Sequence, residues 1–170
     1  RFEPFACKLT AQSNPSWRMP GDMAEMLRIA GGDMHCIGAY RAMPTGSCRG
    51  GLVIMQEICG VNAHIRALVE GFAAAGYCAI APAFFDHIES DVELDYDSTG
   101  LARGRALLAE LNLDDVIADV GSAANAIASA GKIGVVGYCW GGTIALLSAI
   151  RLGLPAVSYY GSRNVAWLDQ

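Results

Sequence analysis

The stretch Val136-Gly137-Tyr138-Cys139-Trp140-Gly141-Gly142-Thr143 (VGYCWGGT, 136–143) decides how this chain is read. Upstream lies KIGVV (132–136) and downstream TIALLSAI (143–150). The first run is short, apolar and rich in β-branched residues, as in a buried strand; the second suits a buried helix. Cys139 falls at the junction, framed by Gly137 and Gly141 as G-x-C-x-G. A sharp strand-to-helix turn pushes the central side chain outward, and the two glycines let strand and helix pass closely. The helix N-terminus beneath the sulfur favours the thiolate, the nucleophilic form. The backbone N–H of Trp140 then points to where an oxyanion would form. Cys139 is therefore the candidate nucleophile.

Strand-like and helix-like segments alternate on either side. MHCIGAYRA (34–42) alternates like a half-exposed strand, and GLVIM (51–55) reads as a buried one. Asn62 can cap a helix whose apolar residues Val61, Ile65, Leu68, Val69 and Phe72 recur at helical spacing, with Gly76 closing it. YCAIA (77–81) is a second buried strand, stopped by Pro82, and 83–100 reads as a long acidic loop. Helices are expected over about 101–111, from Asp114-Asp115 to Gly131, and over about 141–152. Strands are expected at 132–137 and 156–160. The pattern predicts an α/β domain with a parallel sheet covered on both faces. Residues 1–20 (RFEPFACKLTAQSNPSWRMP) show no periodicity and no signal-peptide core, and read as a disordered or non-native extension to a single domain over 21–170.

Composition excludes several classes. The net charge is −5 in 170 residues, which argues against a nucleic-acid surface. The uncharged run Ile133 to Ile150 is nearly long enough to span a membrane, but four glycines and Tyr138, Thr143 and Ser148 break it. The six cysteines form no CxxC pair and no metal-ligand spacing, which reads as a reducing, cytoplasmic setting. No cofactor is indicated: there is no G-x-G-x-x-G after a strand, no P-loop and no metal cluster. IESDVELDYD (88–97) spaces its acids like a calcium loop but lacks the glycine required at the sixth position.

In an open α/β sheet, ligands bind beyond the carboxyl ends of the strands. Three segments should lie there: Gln56-Glu57-Ile58, Pro82 to Asp86, and Tyr138-Cys139-Trp140. Glu57 is the second candidate, because a carboxylate directly after an apolar strand is costly unless exposed or paired. His35 reads as a strand-surface residue and His64 as a solvent-facing residue in a first helical turn. His87, in the loop after the second buried strand, could reach the cleft but reads first as a plain loop histidine.

With QEICGVNAHIR (56–66), GYCWGG (137–142) and SYYG (158–161) in order, the chain from about Met23 to Gln170 resembles the dienelactone hydrolase family. The resemblance implies an α/β-hydrolase fold and a small-molecule ester or lactone substrate. It implies attack by Cys139 on the carbonyl, an acyl-enzyme, and hydrolysis by water. Glu57 matches the glutamate that takes or holds the thiol proton. The backbone amides of Ile58 and Trp140 match the oxyanion hole.

Cys59 stands where the family pattern has a large aromatic. His87 stands near the position of a substrate-binding arginine. The family's triad runs nucleophile, Asp, His, yet all three histidines here precede Cys139 and Asp169 comes too early. The resemblance therefore implies a fold incomplete at its C-terminus. A sheet ending at 156–160 would leave an apolar edge strand, which predicts either a poorly soluble chain or a downstream segment in the natural protein. Two alternatives stand beside the hydrolase reading: an inactive truncated or degenerate relative, and a glutamine amidotransferase-like domain, which also uses G-x-C-x-G. The sequence does not give the oligomeric state.

Overall fold

The computed structural model describes residues 10–11, 24–31 and 35–167. The strands are β1 (Thr10–Ala11), β2 (Ala24–Ala30), β3 (Cys36–Ala42), β4 (Gly51–Met55), β5 (Cys78–Pro82), β6 (Ile133–Tyr138) and β7 (Ala156–Tyr159). The helices are α1 (Ala63–Ala74), α2 (Ser98–Glu110), α3 (Leu113–Ala126) and α4 (Trp140–Leu152). One sheet carries all seven strands in the order β1-β2-β3-β5-β4-β6-β7.

The expected all-parallel sheet is corrected to a mixed one. β4 pairs parallel with β5 and β6, and β6 with β7, whereas β1, β2, β3 and β5 pair antiparallel in succession. The reason lies in the connections. β2 and β3 are joined by a short link that Gly31 N–H closes onto His35 O at 2.6 Å, and so tight a link permits only antiparallel pairing. β3 is not half-exposed either. Ile37, Ala39, Tyr40 and Ala42 are all buried, because the first two pack into the core on one face of the sheet and the last two into the core on the other. The disordered extension expected over 1–20 falls outside the described residues except for Thr10–Ala11, which pair with β2.

Strand alternation distributes the core. Val53, Met55, Cys78, Ile80 and Val135 face one side, against Val116, Val120 and Ala123 of α3 and Ile144 and Leu147 of α4. Ile54, Ala79, Ala81 and Val136 face the other, against Ile65, Val69 and Ala73 of α1. Runs without polar alternation are therefore apolar because both faces are covered. Asn62 caps α1 as expected, its side chain accepting from Ile65 N–H at 3.3 Å. The segment after β5 is more than a loop. Phe84–His87 form one tight helical turn with Phe84 and Phe85 fully buried.

β4 is the pivot of the sheet. The chain crosses from β4 through α1 to β5 on one side, then through α2 and α3 to β6 on the other. Such a reversal of strand order opens a crevice at the carboxyl ends of the two central strands. Among the described residues, no helix is long and apolar enough to cross a membrane.

Candidate active site

The register brings the two candidate segments together. Met55 of β4 pairs with Gly137 of β6, so Glu57 and Cys139 leave adjacent strands at the same edge. Cys139 has φ 54° and ψ −119°, a left-handed φ rare for a side-chain-bearing residue. Such a conformation costs about 1–3 kcal/mol and persists only where the surroundings impose it. Here they do: Cys139 N–H donates to Tyr159 O at 3.1 Å, and Gly142 N–H donates to Cys139 O at 3.0 Å. Cys139 is the N-cap of α4, yet its side chain makes no capping bond. The thiol is free and half-buried.

The framing glycines are required by space. A Cβ on Gly137 would lie 1.9 Å from Gly141 O, and one on Gly141 would lie 2.5 Å from Gln56 O. The first turn of α4 thus presses on the ends of both β4 and β6. Trp140 opens α4, so its N–H is among the first-turn amides with no partner within the helix. Ile58 lies in the turn after β4.

Glu57 is half-buried and paired with two phenols. Tyr96 donates to Oε2 at 2.5 Å and Tyr160 to Oε1 at 3.2 Å. Burial, then the Glu57 carboxylate, pushes the Tyr96 hydroxyl well above its ordinary pKa, and the same causes raise Tyr160. Cys59 is fully buried; burial first and the Glu57 charge second raise its thiol. Tyr160 itself has φ 40°, a second strained residue at this edge. Tyr138 stacks on Tyr159 at 5.1 Å and lies 6.3 Å from Tyr160.

The arrangement is a thiol on a strained turn over a helix N-terminus, with a carboxylate on the neighbouring strand end. It suits nucleophilic attack on a carbonyl. A sequence model of the dienelactone hydrolase family matches residues 37–169. The chain belongs to this family. Among its relatives, it is 32% identical over 145 residues to the carboxymethylenebutenolidase of Pseudomonas putida, covering 82% of this chain and 61% of that protein. A Synechocystis protein named as a candidate carboxymethylenebutenolidase is 34% identical over 126 residues, covering 68% of this chain and 50% of that one. The chain therefore spans about half to three-fifths of the length of these relatives. A Klebsiella pneumoniae structure named as a candidate dienelactone hydrolase superposes with a TM-score of 0.64 at 28% identity, over 78% of this chain and 56% of that one. Dienelactone hydrolase and α/β-hydrolase structures share the fold.

Not every expected residue joins the site. His87 is held elsewhere: its Nε2 lies 2.7 Å from Asp119 Oδ2 of α3, with the two side chains 9% and 0% exposed. A ring committed to a buried carboxylate is an anchor between the turn after β5 and α3, which does not favour His87 as a substrate contact. His64 lies in the first turn of α1 and is exposed, as expected; His35 is exposed just before β3. Among the described residues, no group of three or more His, Cys, Asp or Glu is placed to hold a metal ion.

Sequence reasoning missed Tyr96 and Tyr160 as partners of Glu57. Tyr160 was in view within SYYG, and Tyr96 is an aromatic ring in an otherwise acidic stretch. It also missed Gln56, fully buried, whose Oε1 accepts from Phe84 N–H at 3.2 Å and ties the end of β4 to the exit of β5.

Proposed function

We propose that the whole protein hydrolyses carboxylic ester or lactone bonds through a Cys139 acyl-enzyme. The strained backbone at Cys139, between β6 and α4, carries this reading. Cys139 Sγ attacks the carbonyl carbon, and Glu57 takes or holds the thiol proton. The developing oxyanion is received by the amides of Ile58 and Trp140. Collapse of the tetrahedral adduct expels the alkoxide or enolate and leaves the thioester. Water then releases the acid and the free thiol. The last step needs a base to activate the water.

Membership of the dienelactone hydrolase family disfavours the amidotransferase alternative. The inactive-relative alternative makes a distinct prediction. Steady-state hydrolysis of a neutral aryl ester would equal that of Cys139→Ala. Turnover clearly above that variant supports the hydrolase; equal turnover with no burst supports the inactive relative. The reading of a reducing, cytoplasmic location comes from the cysteine pattern of the sequence; Cys48, Cys59, Cys78 and Cys139 being free is compatible with it. Cys36 stands against it, being disulfide-bonded.

A further inference from the structure

Gln56 is polar and fully buried at the end of β4, directly before Glu57. A primary amide in that setting costs stability unless its groups are paired. Both ends of this one are. Phe84 N–H can only donate, so the Gln56 oxygen faces it, at 3.2 Å. That fixes the orientation of the amide and turns Nε2 toward Glu57 O, to which it donates at a longer 3.4 Å.

The second bond holds a particular peptide. Glu57 C=O and Ile58 N–H belong to one planar unit, and among the described residues no peptide bond is cis. In a trans unit the carbonyl and the N–H point in opposite directions. A donor fixed on Glu57 O therefore settles the aim of Ile58 N–H, which faces away from the buried amide.

The other amide of the oxyanion hole is referenced to the same point. Phe84, whose N–H holds Gln56 Oε1, is fully buried and sets its ring edge-on against Trp140, with centroids 5.8 Å apart and planes at 82°. The first turn of α4 also meets the backbone of Gln56, since a Cβ on Gly141 would lie 2.5 Å from Gln56 O. Gln56 thus joins the end of β4, the exit of β5 and the start of α4. A methionine would fill a similar volume with no polar group to satisfy.

We propose that Gln56 is a positioning residue: it aims Ile58 N–H at the developing oxyanion and keeps it in register with Trp140 N–H. The proposal rests on Cys139 as nucleophile and on those two amides as the oxyanion donors. Gln56 itself acts only through the peptide it holds.

Two reagents that use the same thiolate separate aiming from folding. With p-nitrophenyl acetate, Cys139 Sγ attacks the carbonyl carbon, negative charge gathers on the oxygen, and p-nitrophenolate leaves as the thioester forms. With iodoacetamide, Sγ attacks the methylene carbon, a thioether forms and iodide leaves, with no oxyanion on the way. Both rates are read at the Cys139 peptide by mass, and their ratio cancels changes in thiolate content or access. Removing a whole oxyanion donor costs about 10²–10³-fold, so misaiming one by Gln56→Met should lower the acetylation-to-alkylation ratio about 10-fold or more. Gln56→Asn, which keeps the amide but is one methylene too short to reach both partners, should lower it too and serves if the Met variant fails to fold. Equal loss of both rates, or no change in either, overturns the proposal while leaving the nucleophile intact. If the parent's ratio is no higher than that of 2-mercaptoethanol, the oxyanion-hole reading falls, and this proposal with it.

Discussion

At the residue scale, the account turns on two side chains that strand pairing places on neighbouring strand ends. Cys139 was legible from five residues, because G-x-C-x-G states its own geometric reason. Glu57 was legible as an unexplained carboxylate after an apolar strand. Its partners were not, since Tyr96 and Tyr160 lie 39 and 103 residues away in the chain. If Glu57 assists loss of the thiol proton, Glu57→Gln should slow acylation of Cys139 by about 10²-fold near neutral pH. Stopped-flow release of the aryl leaving group measures it; an unchanged burst rate would remove Glu57 from the mechanism.

Asp86 gives a second residue-scale prediction. Its side chain is 2% exposed, accepting from Gly38 N–H at 2.7 Å and pairing with Arg28 at 3.3 Å. Burial nonetheless raises its pKa above 3.8, outweighing those hydrogen bonds and the arginine. The folded state therefore holds this proton to higher pH than the unfolded state does. Between 3.8 and the raised value the native state binds more protons, so Asp86 lowers stability as pH rises through that window. Urea unfolding followed upward from pH 3.8 should show this slope, and Asp86→Asn should reduce it.

At the element scale, the β6–α4 junction does most to shape the site. The turn, the run before it and the run after it were all readable, as were β4, α1 and the Asn62 cap. Where both faces of a strand are covered, composition alone marks it. β2 was not readable. Its residues AEMLRIA mix Glu25 and Arg28 with apolar side chains, and its partners are settled only by the hairpin with β3. The acidic stretch after β5 misled for a related reason: Phe84 and Phe85 are buried by contacts that their charged neighbours conceal. Gly141 tests the junction. The Gly141→Ala methyl would press on backbone oxygens of Met55 and Gln56 at 2.6 and 2.5 Å, and backbone cannot step aside as a flexible side chain can. The expected cost is about 1–3 kcal/mol, read as a lower denaturation midpoint with unchanged slope. An Ala variant as stable as the parent would show that the elbow is loosely packed.

At the scale of the whole molecule, the order of strands explains why the site is where it is. β4 lies between crossovers that run in opposite directions, and the crevice between β4 and β6 follows. Among the described residues, β7 is the outermost strand on the β6 side.

The central claim is that Cys139 forms a covalent acyl-enzyme. Its most direct test is to treat the chain briefly with p-nitrophenyl acetate, quench in acid and map the acetyl group by peptide mass. The account predicts one acetyl group on the peptide carrying Cys139, formed as a burst and lost in Cys139→Ala. Acetylation of the exposed Cys48 alone, or the same labelling in the Ala variant, would contradict it.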